Sequence, residues 1–284
     1  MKKILLPTDF SENSWNAIKY ALTLFKDEIC SFTLLNTYTP VIYQFEYMQL
    51  SSAQLQIMDA VKDTSEKNLQ NLVNKIKAEF NNPNHSFTYV SSFNNLNAEI
   101  DELCLGNVMD LIVMGTKGAT GLKEVLFGSN TVHVLKKAKC PVLAIPSDFY
   151  FESPHEILFP SDYGIDFKKK QLQLLLDLAE MNHARVNFLH VYQNGELSAN
   201  QEKSRKKLED WFEHVAHLFH NVQHQNISEA IANFQMKSKI NLLVMINNKH
   251  SFFENLFFKS NIKHLGFHLN VPFLVIPSSS YLYN

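Results

Sequence analysis

The stretch MGTKGATGLKEVLFGSNT, residues 114–131, holds four of the eight glycines of this 284-residue chain. An apolar run over 110–114 precedes it and predicts a buried strand, and a helix is predicted over 129–138. Glycine lets the backbone approach a ligand closely, and the start of a helix binds phosphate. The stretch therefore predicts a phosphate site, and the alternative is a turn that only connects strand to helix. The four glycines are Gly115, Gly118, Gly121 and Gly128.

The chain around this stretch alternates between apolar runs and segments with helical spacing. Buried strands that are joined by helices form a parallel sheet covered on both faces, and right-handed crossovers make such a sheet doubly wound. Ligands of these folds bind beyond the carboxyl ends of the strands, where the glycines lie. Strands are predicted over 3–7, 31–37, 85–92, 110–114 and 141–145, and helices over 12–26, 51–80, 97–106 and 129–138.

The second half of the chain repeats the first. KKILLPTDFS, which begins at Lys2, matches HEILFPSDYG, which begins at His155. Residues 114–146 align with residues 245–277 without a gap. Several matches in the same order indicate a duplication. The sequence predicts two tandem α/β domains with doubly wound parallel sheets of five strands each, over residues 1–147 and 155–284.

The repeat lacks the glycines of the first copy. A β-branched residue resists positive φ, and its side chain fills space that a ligand would need. We therefore expect one ligand site per chain, in the first domain, although two lysines of the repeat could attract a different anion. Because the framework persists in the repeat, the glycines are predicted to be dispensable for folding alone. The replacements are Ile246 for Gly115, Lys249 for Gly118 and Lys259 for Gly128, while Ser129 persists as Ser260; Phe252, Phe253, Phe257 and Phe258 could fill the vacant cleft or pack against the other domain.

Composition excludes some classes of function. A net charge of -2 argues against a nucleic-acid binder, and no apolar run approaches the roughly 20 residues of a membrane span. The three cysteines are widely spaced, which favours buried, reduced thiols in a cytoplasmic protein. Four histidines recur at a spacing typical of a helix, and half-buried or solvated histidines are favoured there over a metal site. The histidines are His214, His217, His220 and His224.

Two common nucleotide motifs do not fit the glycine stretch. No Gly-Lys-Ser/Thr follows the glycines, which excludes a mononucleotide P-loop, and a Rossmann fingerprint would follow the first strand rather than the fourth. The pattern Gly-x2-Gly-x9-Gly-Ser/Thr, after VMG and before CPVL, instead resembles the universal stress protein family, as does ILLPTDFSENSWNAIKYAL at residues 4–22. The resemblance implies a sheet of order 3-2-1-4-5, of the adenine nucleotide alpha hydrolase-like type. It also implies a bound adenine nucleotide, usually ATP.

The resemblance also implies which residues would form the site. Asp9 would contact the adenosine portion, with a helix cap as the alternative role of Asp9 or of Ser11. The backbone of Thr37 would meet the adenine edge, and Gly115 would lie against the ribose. The ligand would be ATP with or without Mg²⁺, and AMP and ADP are alternatives. The phosphates would be held by Gly118, Gly128, Ser129, which could also cap its helix, and the N–H groups of Asn130 and Thr131.

The resemblance favours a regulatory stress-response protein that binds a nucleotide in its first domain, with the second domain as a non-binding partner within the chain. One alternative is a weak ATPase or an enzyme that uses an adenine nucleotide, although no pair of nucleophile and base is evident. Another is a structural pseudo-dimer that binds no nucleotide. The chain is expected to be cytoplasmic, with no nucleic-acid or membrane partner. Two copies of the chain could also form a homodimer.

Overall fold

The computed structural model describes residues 1–39, 52–106, 109–116, 128–192, 196–223, 227–247 and 270–278. The chain divides into two compact units, Met1–Ser147 and Asp148–Asn284. None of the helices in these ranges combines the length and the apolar character that a membrane span needs.

The first unit alternates strands and helices, as the sequence predicts. Its apolar strands lie at the centre, and β4 is buried at all five residues. The predicted bounds differ from the observed ones by one or two residues at most, and the third strand matches at both ends. The strands are β1 (Lys2–Pro7), β2 (Cys30–Thr37), β3 (His85–Ser92), β4 (Leu111–Gly115) and β5 (Val142–Ile145); the helices are α1 (Glu12–Leu24), α2 (Ser52–Glu79), α3 (Leu96–Gly106) and α4 (Ser129–Lys137).

The strands of this unit lie in the order β3-β2-β1-β4-β5. Every neighbouring pair is parallel, with Pro7 opposite Leu35 and Ile4 opposite Leu111. The chain moves outward from β1 in one direction through β2 and β3, and then returns to β4 on the other side. The strand order therefore reverses between β1 and β4, and the doubly wound fold is confirmed. A crevice beyond the carboxyl ends of β1 and β4 is where such folds bind ligands.

The second unit has the same topology. Its strands lie in the order β8-β7-β6-β9-β10, all parallel. Phe188 of β7 packs in the core of this unit against Phe159, Phe212 and Phe219, with ring centroids 4.9 to 5.6 Å away. The strands are β6 (Glu156–Pro160), β7 (Arg185–Tyr192), β8 (His217–Gln223), β9 (Leu242–Asn247) and β10 (Phe273–Pro277); the helices are α5 (Gln173–Met181), α6 (Ala199–Trp211) and α7 (Ile227–Ser238).

The units differ after their first strand. Helix α1 begins at Glu12, three residues after Asp9, and its buried face includes Trp15 and Ile18. In the second unit an irregular segment follows Asp162, and a 3₁₀ helix begins only at Lys169, before α5. The first helix of the repeat therefore starts four residues later, relative to the matching aspartate, than it does in the first unit.

The histidine-rich segment is a strand, and its interpretation as helical spacing was wrong. His217 and His220 both lie on β8, three residues apart, so their side chains point to opposite faces of the sheet. His214 precedes the strand and is mostly exposed, and His224 lies outside the described residues. Within the described ranges, no cluster of His, Cys, Asp or Glu side chains is arranged to hold a metal ion.

Candidate functional site

A tight turn links β1 to α1 and uses three side chains from the PTDFS sequence. The Phe10 N–H donates to Thr8 Oγ1 (3.0 Å), and the Ser11 N–H donates to Asp9 Oδ1 (3.1 Å). Phe10 has a φ of 61°, a conformation that costs energy for a bulky residue and that these two bonds support. Ser11 is the N-cap of α1 and accepts from the Ser14 N–H. Of the two predicted caps, Ser11 is therefore the actual one, and Asp9 stabilises the turn before it.

The second unit contains the same turn. The Tyr163 N–H donates to Ser161 Oγ (3.0 Å), the Gly164 N–H donates to Asp162 Oδ1 (2.9 Å), and Tyr163 has a φ of 55°. The aspartate and the hydroxyl residue are therefore required by the turn in both units. This explains why Asp162 persists in a repeat that has lost the glycines.

Gly115 is the last residue of β4, and the first turn of α1 passes close to it. A Cβ atom at this position would lie 3.0 Å from the backbone oxygen of Asn13 and 3.3 Å from the Asn13 carbonyl carbon. Its φ lies outside the left-handed region, so the expected need for positive φ does not apply here. Glycine at this position lets the first turn of α1 pack directly on the end of β4. A side chain at position 115 would require the first turn of α1 to move by a few tenths of an ångström, so the dispensability of the glycines for folding stays a prediction.

Gly128 is the N-cap of α4, at φ -61° and ψ 152°, and it has no side chain to satisfy the helix N–H groups. Ser129 is the first helical residue, so the expectation that Ser129 caps this helix was wrong. The first N–H to bond within the helix is that of Val132, which donates to Gly128 O (3.0 Å). The N–H groups of residues 129–131 precede that bond, and Ser129 and Asn130 are exposed. An uncapped helix start of this kind attracts anions through its N–H groups and its dipole.

Two hydrogen bonds join the start of α4 to the end of β4. The Gly128 N–H donates to Thr116 O (2.7 Å), and the buried Thr131 hydroxyl donates to Gly115 O (3.0 Å). The Thr131 side chain is therefore used within the fold, and only its N–H matches the predicted phosphate contact. Because Gly115 also lies close to Asn13 of α1, the start of α1 and the start of α4 both adjoin the end of β4.

Thr37 ends the neighbouring strand at the same edge of the sheet. It is the last residue of β2, two residues beyond the Leu35 that lies opposite Pro7, and it pairs with Ser92 of β3. Asp9, Thr37, Gly115, Gly128 and the start of α4 are thus all at the carboxyl edge, as predicted. Gly118 lies outside the described residues, as do Gly121, Lys117 and Lys123 of the glycine stretch.

A series of hydrogen bonds between buried polar side chains lies at this edge, and the sequence did not predict it. The Asn36 side-chain amide donates to Thr8 O (2.8 Å), and Asn36 Oδ1 accepts from the Ser65 hydroxyl of α2 (2.8 Å). The Ser91 hydroxyl donates in turn to Ser65 Oγ (2.8 Å). In the repeat, His190 takes the place of Asn36, and its Nδ1 donates to Ser161 O (2.8 Å). The signal in the sequence was a polar residue that follows the apolar pair Leu34 and Leu35, just before Thr37.

The corresponding cleft of the second unit is small and is lined mainly by apolar side chains. Ile246 stands where the first unit has Gly115, and it lines a small cleft together with Asp162, Ile165 and Phe167. Both Ile246 and Phe167 are buried. The predicted plug of four phenylalanines and the two lysines of the repeat lie outside the described residues.

Helix α6 holds the irregular segment of the second unit over this cleft. Gln201 Nε2 donates to Asp162 O (2.8 Å), and the Ser204 hydroxyl donates to Ile165 O (3.0 Å). Lys207, one turn further along the helix, forms an ion pair with Asp166. The three side chains recur every three residues, so they lie along one side of α6. In the first unit a helix begins three residues after Asp9. In the second unit the residues after Asp162 are instead held by α6 as an irregular segment beside the cleft.

Comparisons with known proteins agree with this architecture. The model of the universal stress protein family matches residues 1–146 and again residues 154–277. Universal stress protein MJ0531 of Methanocaldococcus jannaschii is 32% identical over 144 residues, which cover 51% of this chain and 81% of that protein. Universal stress protein MJ0577 of the same organism is 29% identical over 152 residues, which cover 51% of this chain and 94% of that protein.

A solved structure has the same fold over nearly the whole chain. The universal stress protein from Archaeoglobus fulgidus DSM 4304 superposes with a TM-score of 0.71 at 19% identity, and covers 97% of this chain and 98% of its own. The two matches of the family model account for the repeat that the sequence contains. This chain belongs to the universal stress protein family, with two of its domains in tandem.

Proposed function

We propose that the first domain binds ATP and that the second domain binds no nucleotide. The observation that carries the proposal is the uncapped start of α4, which lies at the reversal of strand order and has Ser129 and Asn130 exposed. The resemblance to the universal stress protein family is the reason for proposing an adenine nucleotide as the ligand. The small cleft of the second unit, lined by Ile246 and Phe167, supports the unequal roles of the two domains.

In this proposal the residues at the carboxyl edge of the first sheet contact different parts of the nucleotide. The N–H groups of Ser129, Asn130 and Thr131, together with Gly118 and Gly128, hold the phosphates, with or without Mg²⁺. Asp9 contacts the adenosine portion, and the backbone of Thr37 meets the adenine edge. The bound nucleotide would shift the protein between states that differ in affinity for a partner in the stress response, in a reducing cytoplasm that suits its free thiols.

The test is a titration with ATP that counts sites. We expect calorimetry to give one nucleotide per chain, and we expect saturating ATP to raise the melting temperature, because a ligand that binds only the folded state stabilises it. Two nucleotides per chain would overturn the division between the domains. No binding, and no shift with ATP, ADP or AMP, would overturn the nucleotide proposal itself.

The two matching aspartates provide a paired prediction. Asp9→Ala and Asp162→Ala are each expected to lower the free energy of unfolding by about 1 kcal/mol, because each removes the acceptor for a turn N–H. Only the Asp9 change is expected to weaken ATP binding. Urea unfolding gives the stability, and calorimetry gives the affinity.

Asp9→Asn separates the two roles of Asp9, since it keeps an oxygen for the turn and removes the charge. We expect its stability to stay near that of the wild-type chain. If Asp162→Ala weakens ATP binding as much as Asp9→Ala does, the assignment of the site to the first domain is wrong.

A further inference from the structure

Two cysteines that are far apart in the sequence are neighbours in the first unit. Cys104 lies on α3, and Cys140 lies between α4 and β5, 36 residues later. Their sulfur atoms are 3.5 Å apart. Cys140 is buried, whereas Cys104 is half-buried and reachable from solvent. A disulfide requires an S–S distance of about 2.05 Å, so a small movement of the two side chains would join them.

The surroundings make the two thiols unequal. The hydrogen bond between the two sulfur atoms lowers the pKa of Cys104 against the opposing effect of burial. Lys139 also favours the thiolate of Cys104, while Asp101 disfavours it. The same hydrogen bond and burial raise the pKa of Cys140, and Asp110 adds to that effect. Because the thiolate is the reactive form, the more exposed Cys104 is the one that an oxidant would meet first.

We propose that Cys104 and Cys140 form a reversible disulfide when the protein meets hydrogen peroxide. The Cys104 thiolate attacks one peroxide oxygen, an S–O bond forms, the O–O bond breaks, and hydroxide leaves to be protonated to water. The Cys140 sulfur then attacks the Cys104 sulfenic acid, the S–S bond forms, and the S–O bond breaks. The departing hydroxide takes the Cys140 proton and leaves as a second water. The two thiols supply the two electrons that reduce the peroxide, and an external dithiol returns both cysteines to thiols.

The disulfide would enclose a functionally important part of the chain. The closed loop runs from Cys104 to Cys140 and contains β4, the whole glycine stretch and α4. A cross-link that closes a loop of this length restricts the unfolded chain, so oxidation is expected to raise the melting temperature of the first domain. This consequence holds whether or not the loop binds a nucleotide.

The test treats the full-length chain with hydrogen peroxide and maps its peptides without reduction. We expect the intact mass to fall by two hydrogen atoms, a peptide that joins Cys104 to Cys140 to appear, and dithiothreitol to restore the original mass. Cys30→Ala is the matched control and should behave as the wild-type chain does. Cys30 is buried, and burial raises its pKa to about 11, so it should not react.

Single replacements of the pair test the order of the steps. In Cys140→Ser, peroxide should leave a sulfenic acid on Cys104 that a 1,3-dicarbonyl reagent traps, because the thiol that would attack it has been removed. In Cys104→Ser, Cys140 should stay a thiol. Oxidation of the wild-type chain that stops at a sulfinic acid on Cys104, or that gives only disulfides between chains, would overturn the proposal. Because the wild-type peptide map decides this, the result does not depend on whether the variants fold.

Discussion

The Gly128→Asp variant is expected to bind ATP about a hundredfold more weakly than the wild-type chain. Gly128 is the N-cap of α4 and carries no side chain. An aspartate there would accept from the N–H groups that the proposal assigns to the phosphates. It would also place a negative charge against them, and two like charges about 4 Å apart near a protein surface repel by about 1 to 4 kcal/mol.

The same change is expected to leave the first domain as stable as before, or slightly more stable. Aspartate is a favourable N-cap, and it improves on glycine by a few tenths of a kcal/mol. Its carboxylate also interacts favourably with the helix dipole. Loss of binding without loss of stability would separate the role of Gly128 in a site from any role in folding.

Gly128→Asn is the matched control, because asparagine has the size and the capping ability of aspartate without its charge. Calorimetry with ATP and urea unfolding should be run on both variants. We expect Gly128→Asn to bind more tightly than Gly128→Asp, and the difference between them measures the effect of charge at the helix start. Equal affinities for the two variants and the wild-type chain would show that the phosphates do not reach α4.

The Gly115→Val variant is expected to lose both stability and ATP binding. Even a Cβ atom at this position would lie 3.0 Å from the backbone oxygen of Asn13, and valine adds two more methyl groups. Such overpacking costs about 1 to 3 kcal/mol, and here it would push the first turn of α1 away from β4. The ribose position that the family resemblance gives to Gly115 would be blocked as well. Urea unfolding and an ATP titration below the melting temperature measure the two effects.

The control for this variant is Ile246→Val, at the matching position of the second unit. Removing one methyl group from a buried isoleucine costs about 0.5 to 1.5 kcal/mol, and ATP binding should not change. A Gly115→Val protein with the stability of the wild-type chain would contradict the close packing of α1 on β4. A fall in ATP affinity in Ile246→Val would contradict a site confined to the first domain.

The elements of the first unit could be predicted because its strands are buried apolar runs between clear helix signals. The third strand, His85–Ser92, matched the prediction at both ends. The histidine-rich segment failed because HLFHNVQ fits both a spacing of three and the alternation of an edge strand. Only its pairing with β7 distinguishes the two, and that pairing involves residues about thirty positions away.

The candidate site could be predicted as a set of positions, but the reason for each residue could not. Gly115 is a glycine because of Asn13, about a hundred residues earlier, and the sequence gives no sign of that contact. The cap of α4 was assigned one residue too late, because Ser129 is a good capping residue whereas the structure uses Gly128. The proximity of Cys104 and Cys140 likewise depends on how α3 and the end of α4 pack together.

If the second domain binds no nucleotide, as we propose, the segment that α6 holds beside its cleft makes a return to binding difficult. Ile246→Gly alone would remove a side chain and leave Ile165 and Phe167 in place, since Gln201, Ser204 and Lys207 of α6 hold that segment. The result would be a cavity inside the domain rather than an opening for a ligand. Restoring a site would require a new helix start, new contacts from α6 and new glycines together. Under the proposed function, a single substitution would therefore not be enough to give the second domain a nucleotide site.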